Sequence, residues 1–220
     1  MKNRVCAALF SSLLMCTFSS YAETDLSVTV SGDAWSVKTA YKHGTETMLN
    51  SERETQFTGS LALEHDIAYT PNVRIRFSPV EMSYIEFNKT DFTFYYDLID
   101  HELLHFDAGI TLSQYSNGVY SNPADPTQDF NKLLFSWYAN AVITVPETNV
   151  DLIGEFDFGN SDGDKTADVT AGMRYRFDLE KLDVAVRAGY RVMDYRFKMF
   201  SGPSDMYLTH GVFVGVEASF

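Results

Sequence analysis

The sequence predicts an all-β fold: a closed, antiparallel, up-and-down transmembrane β-barrel of ten strands that follows a cleaved signal peptide. Three observations carry this. Period-two alternation recurs from Leu26 to Phe220 with turn signals between the runs. No stretch after the N-terminal region is apolar enough for a spanning helix. One face of the alternating runs collects aliphatic and aromatic residues, and the other collects charges of both signs.

The N-terminus sets the compartment. Lys2 and Arg4 precede a largely apolar run from Val5 to Phe18, and Ser20-Tyr21-Ala22 places small residues three and one before a cut after Ala22. The expected division is 1–22 as signal peptide and 23–220 as barrel. Met15 is too bulky for the position before an acylated Cys16, which argues against a lipoprotein. Cys6 and Cys16 both lie in the signal segment, so the mature chain has no thiol for disulfides, catalysis or metal binding. The formal charge of −13 makes nucleic acid an improbable partner. The acid excess reads as solvated loops, with divalent cations bridging acidic loops to lipopolysaccharide as the functional alternative.

The strands follow in order. The first covers Leu26 to Trp35, with Leu26, Val28 and Val30 opposite Ser27, Thr29, Ser31 and Asp33; the second covers Gln56 to Asp66 and turns at Thr70-Pro71-Asn72. Val73 to Ser78 forms the third, which Pro79 interrupts or ends. The fourth runs from Tyr84 to Ile99, the fifth through Leu104 to Leu112, and a polar loop spans Ser116 to Lys132. Leu133 to Val145, Val150 to Phe156, Asp168 to Phe177, Leu182 to Met193 and Tyr207 to Phe220 complete the ten. Connections near Pro71, His101, Pro146 and Leu179 are short, and those from Ser36, Ser116, Gly159 and Asp194 are longer, the asymmetry of periplasmic turns and external loops.

Alternation alone also fits a soluble barrel. A soluble barrel would put the apolar face inside, where an aromatic content of 15% overfills it, and would leave Arg74, Arg76, Asp151, Glu155, Arg174, Arg176, Asp183, Arg187 and Glu217 outside. Turned the other way, the aromatics meet lipid and the charges meet one another. Tyr69, Tyr96, Trp137, Phe158, Phe177 and Tyr190 then fall near strand ends, at headgroup level.

Gly215, Ala218 and the terminal Phe220 match the spacing of an outer-membrane assembly signal, with Phe213 departing from the polar residue often found upstream. Together with Pro71-Asn72-Val73-Arg74, Thr90-Asp91-Phe92-Thr93, Tyr95-Tyr96-Asp97, Asp100 and Gly189-Tyr190-Arg191, this ending resembles a poorly characterised family of small proteobacterial outer-membrane β-barrel proteins. The resemblance implies a fold and a location in the cell outer membrane, and no activity. The connection between the third and fourth strands is shorter here than in that family.

Few residues promise chemistry. Gln114-Tyr115-Ser116-Asn117 is superficially similar to the nucleophile region of lipid A deacylases, but Gln114 stands where a general base is needed and cannot take a proton. Asp162-Gly163-Asp164 with Asn160 lacks the length and closing Glu of a calcium loop and reads as a hairpin turn. His105 is the best titratable candidate, because it shares an inward face with Asp107 and nears Asp97 across the turn at His101; a structural hydrogen bond is the simpler reading. No catalytic residue, cofactor or metal site is expected.

The inward charges should pair. Counting back from the turn at 178–181 brings Arg176 beside Asp183 with Glu217 on the other side of Asp183, and Glu64 falls near Arg74; Asp151 and Arg174 belong to the same lumen network. Such a network would plug a narrow barrel. The expected role is therefore structural or surface-interacting, with a narrow channel for water, ions or small solutes as the alternative and a lipid hydrolase as a distant third. Expected partners are outer-membrane lipid, lipopolysaccharide and the barrel assembly machinery, and the expected state is a monomer.

Overall fold

The computed structural model describes residues 26–121, 128–177, 179, 182–200 and 205–220. The expected signal segment 1–22, part of the expected loop after Ser116 and most of the turn at 178–181 lie outside them. The elements are β1 (Leu26–His43), β2 (Glu46–Asn50), β3 (Glu54–His65), β4 (Asn72–Met82), β5 (Ile85–His101), β6 (Leu104–Tyr120), β7 (Gln128–Thr144), β8 (Val150–Ser161), β9 (Asp164–Phe177), β10 (Asp183–Arg196) and β11 (Asp205–Ser219). Each strand of the barrel pairs antiparallel with its neighbours, and β11 pairs with β1 from Ser219 opposite Thr29 to Asp205 opposite His43. This closes a ten-stranded barrel and removes the free sheet edge. The eleventh strand, β2, is a short hairpin return on the end of β1, turned at Gly44 with φ +62°.

Alternation sorts residues as expected. Phe57, Leu61, Ile75, Phe92, Trp137, Leu152, Met173, Tyr175, Val214 and Val216 project from the barrel and are exposed, Phe57 by 70% and Trp137 by 67%. Arg74, Arg76, Asp91, Asp151, Asp168, Arg187 and Arg191 project inward. Water would penalise such an exterior and lipid does not, while the closed ladder satisfies the backbone groups that lipid cannot. The protein is an integral outer-membrane β-barrel.

Several strands outrun the sequence-based bounds. A transmembrane β-strand needs about 9 to 11 residues, whereas β1 has 18 and β5, β6 and β7 have 17 each. The excess lies at the end opposite the termini. There, part of the expected loop from Ser116 to Lys132 is strand: β6 continues to Tyr120, and β7 begins at Gln128. The connection expected from Gly159 to Lys165 is a tight turn at Asp162-Gly163, where φ values of +51° and +88° suit the close reversal of a hairpin. Pro79 does not end its strand. The β3–β4 ladder stops at Gly59 opposite Phe77, so Pro79 lies beyond it, where its missing N–H costs no bond. The Gln56 amide spans that gap, donating to the Glu81 carbonyl at 3.0 Å.

At this extended end the sorting reverses. Lys38, Lys42, Glu81, Glu86, Lys165 and Arg196 take the outward positions, whereas Trp35, Val37, Val80, Ile85, Phe87, Tyr115, Tyr195 and Tyr207 fill the interior. The aromatic rings interlock, with Phe87 edge-on to Tyr195 at 5.1 Å and to Tyr115 at 5.4 Å.

Candidate functional site

The lumen is stacked in three levels. At the end carrying the termini, a cavity of about 680 Å³ opens among Ser27, Glu64, Tyr95, His105, Asp107, Asn140, Arg174 and Glu217. Above it lies an ionic level, and above that the aromatic core.

The ionic level is built where β4 and β5 face β8, β9 and β10 across the barrel. Arg76, opposite Asp91 in the ladder, donates to Asp91 at 3.0 and 3.1 Å, to Asp157 at 3.0 Å and to Asp168 at 3.3 Å, and also reaches Glu155. Lys89 bridges Asp91 and Asp168 at 2.9 Å each. Arg191 holds Asp168 with two donors, at 2.7 and 2.9 Å, and Arg74 holds Glu155 likewise at 2.6 and 2.9 Å. Each charge is thus desolvated by the walls but met by opposite charge, the condition under which buried ions are tolerated. Arg191 also stacks over Trp35 at 5.2 Å, joining the ionic level to the aromatic one.

A second cluster lies nearer the termini. Arg174 and Arg187 are direct ladder partners, a like-charge pair that Glu217 bridges at 3.0 and 3.4 Å. Arg187 further holds Asp33 at 2.6 and 2.8 Å. These two residues flank Gly215 in the ladder, one on each side. A Cβ at Gly215 would come within 2.0 Å of the Asp33 carboxylate, so this glycine is where the pair passes over β11. Ala218 and Phe220, the other residues of the expected assembly signal, occupy outward positions of the last turn of the seam, where Phe220 exchanges backbone hydrogen bonds with Val28 at 2.9 and 3.0 Å.

Three expected pairings need correction. Arg176 lies opposite Ala185 and not Asp183; its guanidinium meets Asp151 at 3.1 Å, and Asp151 also holds Arg174 at 2.7 Å. Asp183 is exposed and faces Ser219, so Glu217 is not its neighbour. Arg74 lies opposite Ala62, while Glu64 accepts from the Tyr95 hydroxyl at 2.8 Å. In each case the ladder is offset by two residues from the expected register. An offset of two keeps every side chain on its face and leaves alternation unchanged. Asp91, Asp157, Asp168 and Arg191 fall on the polar faces expected of their strands, but they and Lys89, the centre of the network, were not in the expected set of paired charges. The available signal was the repetition of like charges at i and i+2 within one face, as in Glu155 and Asp157 or Arg74 and Arg76.

The His105 group comes together as anticipated in space. Asp97 and Asp107 are direct partners on β5 and β6, and His105 stands two residues along the same face. The ring Nε2 lies 2.8 Å from Asp107 and 3.7 Å from Asp97, and Nδ1 lies 3.5 Å from Asp100. By contrast, Gln114 and Ser116 sit on the outer wall beside a bulge, with Gln114 bonded to the Tyr115 carbonyl. His43 pairs with Asp205 at 2.6 Å at the far end of the barrel, and His210 contacts Tyr190 on the outer wall.

No family model and no curated protein matches the sequence. Among solved structures, the chain is similar to the outer membrane protease OmpT from Escherichia coli, with 10% identity and a TM-score of 0.47 over 93% of this chain and 98% of that one. Neisserial surface protein A matches with 13% identity and a TM-score of 0.37 over 86% and 95%. Ail, the attachment invasion locus protein of Yersinia pestis, matches with 13% identity and a TM-score of 0.32 over 89% and 98%.

Proposed function

We propose that the chain is a non-conducting outer-membrane barrel whose work is done at its outer rim and wall, with the lumen serving as internal scaffolding. One observation carries this reading: two different seals are stacked in the same bore. Lys89, Asp91 and Asp168 are almost wholly buried at the ionic level, and Trp35, Phe87 and Tyr195 are equally buried above them. Water entering the 680 Å³ cavity meets Arg74, Glu155 and Arg187 and then the ion-paired level. An ion crossing it would have to break charge-assisted bonds and then enter an apolar core, where an unpaired charge is costly.

The same arrangement favours a structural or surface-interaction role over a narrow channel. The protruding end raises the loops clear of the bilayer, which suits contact with lipopolysaccharide sugars or an external partner. The outer belt suits outer-membrane lipid, the terminal Phe220 suits recognition by the barrel assembly machinery, and nothing in the strand pairing requires a second copy, so a monomer is the simplest state. The resemblance to small proteobacterial outer-membrane barrels supports the same placement. Planar-bilayer recording of the purified mature protein is the test. Silence across the usual voltage range is expected, whereas steady single-channel steps would overturn the scaffold reading and put the channel first.

A further inference from the structure

We propose that Asp97, His105 and Asp107 form a binding site for a borderline divalent transition metal such as zinc, set in the wall of the cavity at the terminal end of the lumen. The ligand types come first: one imidazole nitrogen and two carboxylate oxygens, all within 4.8 Å of one another, form a three-residue set of the kind that leaves a further position to water. The 680 Å³ cavity, which His105 and Asp107 line, supplies that water and the route of entry.

A His beside two carboxylates could equally be a plain ion pair, and two further observations favour the metal. Asp107 is only 3% exposed, yet its Oδ1, the atom nearest the imidazole, makes no hydrogen bond. It lies 2.8 Å from Nε2, close enough for one, but off the line an N–H would take. A buried carboxylate oxygen left without a hydrogen bond, 2.8 Å from a ring nitrogen and in one cluster with an Asp97 oxygen, is placed to share an ion with both.

The second observation is that both carboxylates are held from behind. Asn140 donates to the other oxygen of Asp107 at 2.8 Å, which keeps Oδ1 turned inward. Asn72, itself buried, donates to both Asp97 oxygens at 3.3 Å. Asp100, with its side chain 88% exposed, stands 3.5 Å from Nδ1 at ion-pair distance. Backing groups that orient ligands in this way are characteristic of metal sites, where their loss typically lowers affinity about 10- to 100-fold.

Isothermal titration of zinc into the untagged mature protein in detergent, after treatment with a chelator, tests the site. One saturable equivalent is expected, and the chelator should remove it. His105→Asn should abolish that equivalent, and Asn140→Ala, a positioning change, should weaken it about 10- to 100-fold while leaving the stoichiometry at one. Heat-modifiable gel migration would verify that each variant still folds. Should His105→Asn fail to fold, cobalt(II) absorption with the wild-type protein decides instead: visible bands with a nitrogen ligand sustain the site, and a spectrum of hexa-aqua cobalt overturns it. Absence of saturable zinc binding in the wild type, or unchanged binding in His105→Asn, would mean that the trio is an ion pair only.

Discussion

The two ends of the barrel obey opposite rules. Toward the termini, Val214 and Val216 point outward and Glu217 and Arg187 inward; toward the loops, Lys38 and Lys42 point outward and Val37 and Tyr41 inward. The backbone ladder is continuous through the change, since β1 and β11 remain paired from Thr29 to His43. What changes is the solvent. Lipid makes no demand for polar cover and lets the interior be ionic, whereas water rewards apolar burial and forces the interior to become a core. The inversion level, near Trp35 and Phe213, thus marks where the bilayer stops.

Substitutions can break either rule separately. The largest effect is expected from Arg76→Leu, which leaves four carboxylates in a dry bore with one cation fewer. A loss of about 3 to 5 kcal/mol fits the removal of one partner from a buried network, read as a shift in urea unfolding followed by tryptophan fluorescence. Phe87→Ala, in the other half, should cost a similar amount through its cavity, about 3 to 5 kcal/mol. The two should differ in pH: acid protonates the carboxylates left without Arg76 and should shrink that deficit, and it should leave that of Phe87→Ala as it was. If both respond alike, the halves are not held by different forces.

Outward substitutions locate the boundary. Val216→Arg, deeper in the outward belt, should impair assembly at a cost of about 2 to 4 kcal/mol near the midplane. Thr55→Arg, outward but beyond the belt, should stay within about 0.5 kcal/mol. Equal costs would show that the inversion level and the bilayer edge do not coincide. The smallest effect belongs to Arg176→Ala. That guanidinium is 41% exposed and its partner Asp151 keeps Arg174, so a change under about 1 kcal/mol is expected once solvent screening is counted. A loss of several kcal/mol would make Arg176 part of the buried network after all.

Strand identity and face were legible from residue types because alternation is a local signal. Register was not. Arg176, Arg74 and Glu217 each kept the expected face and lie opposite a residue two positions from the expected one, since nothing in a period of two distinguishes offsets that are multiples of two. The aromatic core was hidden for another reason. Ser27, Thr29, Ser31 and Asp33 lead in phase to Trp35, Val37 and Tyr41, so the inward face turns from polar to apolar within one strand. A reading that assigns each strand a single polar side ends the strand there, and the long loops it then requires are the ends of long strands. The His105 group was legible because its contacts cross one short turn, whereas its backing residues Asn72 and Asn140 come from the neighbouring strands β4 and β7.

The seam between β1 and β11 also sets an order of events. Thr29 and Ser219, whose side-chain oxygens lie 2.8 Å apart, are separated by 190 residues of chain. Contacts of such sequence separation are the slowest to form, because the entropy of closing the loop is lost before the contact repays it. Consecutive hairpins can zip locally, but the bridge from Arg187 to Asp33 spans 154 residues and exists only once the ends have met. A half-made sheet therefore has Arg187 without Asp33, and Gly215 without the pair that crosses it. The ring is completed where β11 meets β1, so closure and the completion of this charge cluster are a single step.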